Sequence, residues 1–178
     1  MSYQSDASNS ERAEASLGSR PVCVDDEAFL LKVYASTRRE EFAAIPWTET
    51  QLEAFLRMQF VAQSRDYAAQ YAEADHRIIL HNGEMAGRIM TAGTDEGIHL
   101  VDISLLPEFR NRGIGTILIG NLLADAVRES FSVHLQVLQN NPAKHLYERL
   151  GFSIAGEHDF YFHMQWSPRN FVRPDASS

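Results

Sequence analysis

Between residues 98 and 138 the chain changes its hydrophobic period twice. IHLVDISLL (98–106) is a β-like run ended by Pro107. In the next segment Ile114, Leu118, Leu122 and Ala126 recur at i+4 steps. Ile119, Leu123 and Val127 form a parallel row, and Asn121, Asp125 and Arg128 face away. SVHLQVL (132–138) is extended again. A strand, a helix and a strand in succession need a crossover, so the two strands should lie parallel with right-handed connection. This unit commits the chain to an α/β domain built on a mixed sheet.

The flanking segments fit that plan. PVCV (21–24) reads as a short strand, and Asp25 or Asp26 offers an N-cap for a helix carrying Phe29, Leu30, Leu31, Val33 and Tyr34. Thr48 can cap a second helix with Leu52, Phe55, Leu56, Met58, Gln59, Phe60 and Ala62 at helical spacing. Asn82-Gly83 is a hairpin signal inside RIILHNGEMAGRIMTAGT. After 138, Asn141 as N-cap, Pro142 at the first position and Gly151 just past the end frame a short helix. Runs near 152–157 and 159–166 read as a closing hairpin. One domain over 20–172 is expected, with tails at 1–19 and 173–178; the N-terminal tail is rich in Ser, Ala and charge and poor in anything to bury.

Composition narrows the function classes. The formal net charge of -8 argues against nucleic acid as a partner, because phosphate contacts want a basic face. One cysteine, Cys23, excludes an intrachain disulfide and fits a reducing, cytoplasmic setting. No run approaches the roughly 18 apolar residues of a membrane span. The other histidines (His76, His81, His134, His145, His158, His163) show no metal-ligand spacing, so no metal is expected.

PEFRNRGIGTILIG (107–120) places Arg110, Arg112, Gly113 and Gly115 where a helix begins. A helix start leaves unpaired N–H groups and a positive partial charge, glycines permit close approach, and arginines add charge-assisted bonds. The spacing R-x-x-G-x-G is neither a P-loop nor the dinucleotide fingerprint. Alone it reads equally as a strand-to-helix turn.

ISLLPEFRNRGIGTILIGNLL together with LQVLQNNPAKHLYERLGF resembles the GNAT superfamily of N-acetyltransferases. The resemblance in detail covers about 98–166. It implies a mixed, mostly antiparallel sheet with a splayed parallel pair, and acetyl-CoA as co-substrate. It further implies that Arg110, Asn111, Arg112, Gly113, Ile114, Gly115 and Thr116 wrap the diphosphate, mainly with backbone N–H groups. The main chain of Ile103 and Leu105 would pair with the pantetheine arm. Asn141 would lie near the pantetheine or serve only as the N-cap, with Asn140 as the other candidate. Tyr147 falls at the tyrosine position whose hydroxyl protonates the leaving thiolate; its other reading is an aromatic packed under the helix.

An amine acceptor must lose a proton before it attacks the thioester. His99 and Asp102 are the candidate bases on the 98–105 strand, on opposite faces by alternation unless a bulge intervenes, with a water chain as the alternative to both. Glu40, Glu41, Trp47, Phe60, Tyr67, Tyr71 and Tyr161 are candidates for an aromatic, acidic acceptor pocket, with Trp47 and Phe60 equally readable as core. The resemblance also makes a homodimer an expectation. A non-catalytic acyl-CoA sensor and an unrelated nucleotide-binding module are the alternatives.

Overall fold

The computed structural model describes residues 17–168. Its strands are β1 (Leu17–Pro21), β2 (Asp75–His81), β3 (Glu84–Thr94), β4 (Gly97–Leu105), β5 (Ser132–Leu138), β6 (Ser153–His158) and β7 (Tyr161–Trp166). The helices are α1 (Glu27–Arg38), α2 (Glu49–Gln70), α3 (Ile114–Glu129) and α4 (Ala143–Arg149). The strands form one sheet in the order β1-β2-β3-β4-β5-β7-β6. β4 and β5 are parallel, as the crossover requires, whereas β1·β2, β5·β7 and β6·β7 are antiparallel. Paired positions on the parallel strands run from Gly97↔Ser132 to Leu100↔Leu135; β4 itself continues to Leu105 and β5 to Leu138.

Backbone packing divides the described residues into two units, 17–90 with Asp102–Ile114, and Thr91–Val101 with 115–168. In the first, Leu30 and Tyr34 of α1, Leu56 and Phe60 of α2 and Ile78 of β2 form a buried cluster, with the Tyr34 and Phe60 rings 5.8 Å apart. Thr48 caps α2 as expected: its Oγ1 accepts from Gln51 N–H at 3.3 Å while Gln51 Oε1 accepts from Thr48 N–H at 2.9 Å. The stripe on α2 is narrower than its spacing suggests, since Met58 is 61% exposed. The turn at Asn82 and Gly83 has φ of 53° and 81°, the doubly left-handed geometry of a tight hairpin.

The N-terminal edge departs from expectation. β1 begins at Leu17, inside the expected tail, and Val24 lies in a 3-10 turn, 88% exposed. Pairing with β2, from Leu17↔His81 to Pro21↔Arg77, supplies backbone partners to a polar stretch that composition reads as unstructured. Residues 1–16 and the expected tail at 173–178 lie outside the described residues. Asp26 is no side-chain cap for α1. Its backbone is already helical, and its buried carboxylate takes two 2.7 Å hydrogen bonds from Arg20 and one of 2.9 Å from Cys23 N–H. Those bonds hold its carboxyl well below the usual carboxylate range.

In the second unit, Ile119, Leu123 and Ala126 of α3, Val133, Leu135 and Val137 of β5, and Met164 and Trp166 of β7 are buried. Val127, expected in the same row, is 48% exposed. Each i+4 step rotates about 40° past a full turn, so Ala126 takes the place the row would give Val127.

Gly87, like Gly97 beside Ser132, is required by close approach of backbone. A Cβ on Gly87 of β3 would lie 2.1 Å from the Ser104 carbonyl oxygen and 2.9 Å from Leu105 Cα, both backbone atoms of β4. Gly87→Ala is expected to destabilise by about 2–3 kcal/mol in urea melts, because backbone rather than a yielding side chain must move. Gly93→Ala, where a Cβ meets nothing within 4 Å, should stay within about 0.5 kcal/mol of wild type.

Candidate active site

The chain leaves β4 through a 3-10 turn, Pro107–Phe109, whose Phe109 is buried. Arg110 is extended, Asn111 has φ 59° and Gly113 has φ 80°, and residues 111–113 are exposed before α3 begins at Ile114, itself 1% exposed. Left-handed residues two apart redirect successive amides and shape the concave backbone that accommodates anions. The sixteen-residue α3 adds the positive end of its dipole at the same point.

The residues of this stretch divide their work differently from the sequence reading. The Arg110 N–H already donates to the Pro107 carbonyl at 3.2 Å. Its guanidinium also turns inward. Nε donates to the Leu105 carbonyl at 2.9 Å, and Nη2 donates to the Ser36 carbonyl at 3.2 Å and Ser36 Oγ at 3.3 Å. Arg110 is thus a brace of the loop, not a free cation as its place in the motif suggested, and the Leu105 carbonyl is already engaged. Arg112 is exposed, its guanidinium carbon 5.7 Å from the Phe109 ring centroid. The glycines also differ. A Cβ at Gly113 would meet nothing, so its requirement is the positive φ, while a Cβ at Gly115 would come within 3.3 Å of Leu146 Cδ2 on α4. Thr116 is exposed on the first turn of α3.

Along β4, the Leu106 N–H donates to the Ala86 carbonyl of β3. By alternation the main-chain groups of Leu105 and Ile103 address the opposite edge of the strand. Asn140 is exposed in the turn after β5. Asn141 stands one residue before Pro142, the N-cap of α4, and not at the cap itself; its Oδ1 accepts from Ala143 N–H at 2.9 Å, and its carbonyl accepts from Lys144 N–H at 3.1 Å. Tyr147 is 7% exposed, with its ring tilted 64° against Phe152 at 5.7 Å.

The two candidate bases keep separate company. His99 is half-buried and faces His134, its Cα partner on β5. Burial, then the His134 and His163 imidazoles, push its pKa below the ordinary 6.5. Asp102 lies in the first unit, with Oδ2 2.5 Å from Arg88 Nη2 and Oδ1 accepting from Ser104 Oγ at 3.0 Å. Arg88, 4% exposed, also donates from Nη2 to Gln63 Oε1 at 3.0 Å. The sequence reading missed Arg88 and Gln63. The available signal was an arginine in the middle of the otherwise apolar or small MAGRIMTAG.

The expected acceptor pocket is only partly assembled. Phe60 is core. Trp47 stacks on Phe42 at 5.9 Å and meets Phe55 at 4.9 Å, and Glu41 pairs with Arg38 at 3.2 Å. Tyr67 and Tyr71 meet edge-on at 6.1 Å, with the Tyr67 hydroxyl pushed up to about 12, first by burial and then by the Asp102 charge. Glu40 is exposed, and Tyr161 is 39% exposed. Among the described residues no cluster of His, Cys, Asp or Glu is arranged to hold a metal, and no helix is long and apolar enough to cross a membrane.

A mixed sheet with one parallel pair, and a left-handed loop feeding a helix after the fourth strand, define an α/β domain with an anion-compatible helix start. Residues 34–152 match the Acetyltransferase (GNAT) family, and the chain belongs to that family. Streptothricin acetyltransferase from Streptomyces lavendulae is 31% identical over 96 residues, 49% of this chain and 50% of that protein, so the likeness spans about half the length of this relative. The PaiA N-acetyltransferase of Thermoplasma acidophilum, solved in complex with coenzyme A, shares the fold at TM-score 0.64 and 17% identity, covering 85% of this chain and 99% of that one. The ribosomal-protein-S18-alanine N-acetyltransferase of Escherichia coli does so at TM-score 0.55 and 21% identity, covering 85% and 93%.

The two arginines of the motif should separate in a stability assay. Arg110→Ala removes charge-assisted bonds to two carbonyls and should cost about 1.5–3 kcal/mol in denaturant melts. Arg112→Ala should change stability by less than about 0.5 kcal/mol.

Proposed function

We propose that the protein transfers an acetyl group from acetyl-CoA to a primary amine by direct attack in a ternary complex. The observation that carries this reading is the loop with left-handed Asn111 and Gly113 feeding α3, at the position where the family resemblance puts the diphosphate. In this reading the amides of residues 111–116 hold the diphosphate and Arg112 adds charge. Arg110 fixes the loop from beneath. The outward N–H and C=O groups of Ile103 and the N–H of Leu105 hold the pantetheine arm, and Asn140 or the Asn141 amide nitrogen lies beside it. The acceptor nitrogen attacks the thioester carbon, the carbon–sulfur bond breaks, and Tyr147 protonates the departing thiolate. The proton of the amine passes to His99, whose lowered pKa leaves it neutral and receptive at pH 7. Asp102, already committed to an arginine, suits charge recognition better than proton removal. The same reading takes the chain to be cytoplasmic and compatible with a homodimer, without nucleic acid, membrane or metal.

Titration calorimetry at physiological salt should show coenzyme A binding, and a panel containing streptothricin, spermidine, lysine and an alanine-terminated peptide should reveal thiol release. Tyr147→Phe is expected to lower kcat about 10²-fold while coenzyme A affinity holds. An acyl-CoA sensor would instead show no turnover before or after that change.

The pH dependence follows from the sign of the His99 shift. A base must be unprotonated, so kcat/KM should fall on acidification with an apparent pKa below 6.5, set by burial and the two facing imidazoles. His99→Gln should lower the rate about 10²-fold and abolish that acid limb. An unchanged limb would exclude His99 as the base.

A further inference from the structure

Beneath α2 lies a polar group with no stability rationale. Arg88 of β3 is 4% exposed and holds Asp102 and Gln63. The Arg88 Nη2 to Asp102 Oδ2 contact is close in distance but not aligned as a hydrogen bond. Arg88 Nε, Asp102 Oδ2 and His76 Nε2 are buried atoms without a hydrogen-bond partner. Burial, then the Arg88 cation, push the His76 pKa down, and Tyr67 senses both members of the ion pair. Replacing a buried ion pair by packed apolar side chains is often neutral or stabilising, and orphaned polar atoms add further cost. Such a cost leaves room for a task other than stability.

The geometry indicates the task. The Asp102 side chain keeps 16% of its surface, against 5% for Arg88. Oδ2 is buried, so that exposure belongs to the rest of the side chain, and Oδ1 accepts the Ser104 hydroxyl. Asp102 therefore combines a fixed position, a side chain that is 16% exposed and a phenol, Tyr67, in its electrostatic reach. Amine acceptors are mostly ammonium ions at neutral pH. A carboxylate anchored from behind by an arginine can receive such a cation with little reorganisation.

We propose that Asp102 is the anchor for the acceptor's ammonium group, and that Arg88 is a positioning residue that fixes it from beneath α2. The proposal rests on the acetyl-transfer reading and deepens it: the acceptor is recognised as a cation, and charge recognition lies on a different residue from proton removal. Gln63 orients Arg88, and Ser104 orients Asp102.

The test is calorimetric binding of spermidine, lysine and streptothricin to the coenzyme A-saturated protein. Wild type is compared with Asp102→Asn, Arg88→Met and Arg88→Lys. At least one amine should bind wild type, and Asp102→Asn should weaken it about tenfold or more and remove most of its salt dependence. Arg88→Met should follow Asp102→Asn, Arg88→Lys should retain part of the affinity, and coenzyme A binding should be unchanged throughout. For any amine that is also acetylated, Asp102→Asn should raise KM while kcat holds. A fall in kcat at unchanged KM would make Asp102 a base and overturn the proposal. So would wild-type affinity in Asp102→Asn, or coenzyme binding without binding of any of the three amines. Failure of coenzyme A itself to bind would overturn the acetyl-transfer reading and this proposal with it. If Arg88→Met fails to fold by circular dichroism, the isosteric Asp102→Asn decides the matter.

Discussion

The guanidinium of Arg110 ties the end of β4 and its own loop to α1, which the sequence keeps far from both. It donates to the last carbonyl of β4 and, across 74 positions, to Ser36 in the final turn of α1. Carbonyls at a helix C-terminus lack intrahelical donors and carry negative partial charge, so a half-buried arginine there satisfies groups that would otherwise need water. The loop that follows is consequently held at its root. Gly113 takes left-handed backbone without strain, whereas Asn111 takes it at a cost that its surroundings must offset. Arg110 on one side and the buried Ile114 on the other supply that offset.

Much of the fold was legible because its signals are local. The 3.6-residue period after Pro107, Asn82-Gly83 and the reciprocal Thr48–Gln51 cap each depend on residues within a few positions, and each found its expected element. What failed was decided by distant partners. The strand at Leu17–Pro21 exists because β2 offers a ladder to a sequence with little apolar content. Asp26 is drawn from a capping role by Arg20, six residues earlier. A spacing rule sees neither.

The candidate site shows the same division at the level of single side chains. The motif located the loop, but it treated Arg110 and Arg112 as equal cations and Gly113 and Gly115 as equal spacers. The loop uses them for four jobs: a brace, an exposed cation over Phe109, a left-handed turn and a position where a Cβ would crowd Leu146 of α4. Arg88 escaped because a lone arginine in a strand reads as surface until the elements above it are known. Its alternation on β3 pointed to the core, yet the partners that make burial tolerable, Gln63 and Asp102, come from α2 and β4.

These divisions bear on how an anionic co-substrate can be held by a chain of net charge -8. Long-range attraction is weak, and one of the two arginines in the motif is consumed internally. On the proposed reading, affinity comes from short-range geometry: amides fixed in direction before the ligand arrives, at a helix end whose dipole costs no reorganisation. The overall negative charge opposes the anion but favours a cationic second substrate. A rigid backbone cradle for the anion and a fixed carboxylate for the cation are a consistent way for one acidic domain to bring two oppositely charged substrates together.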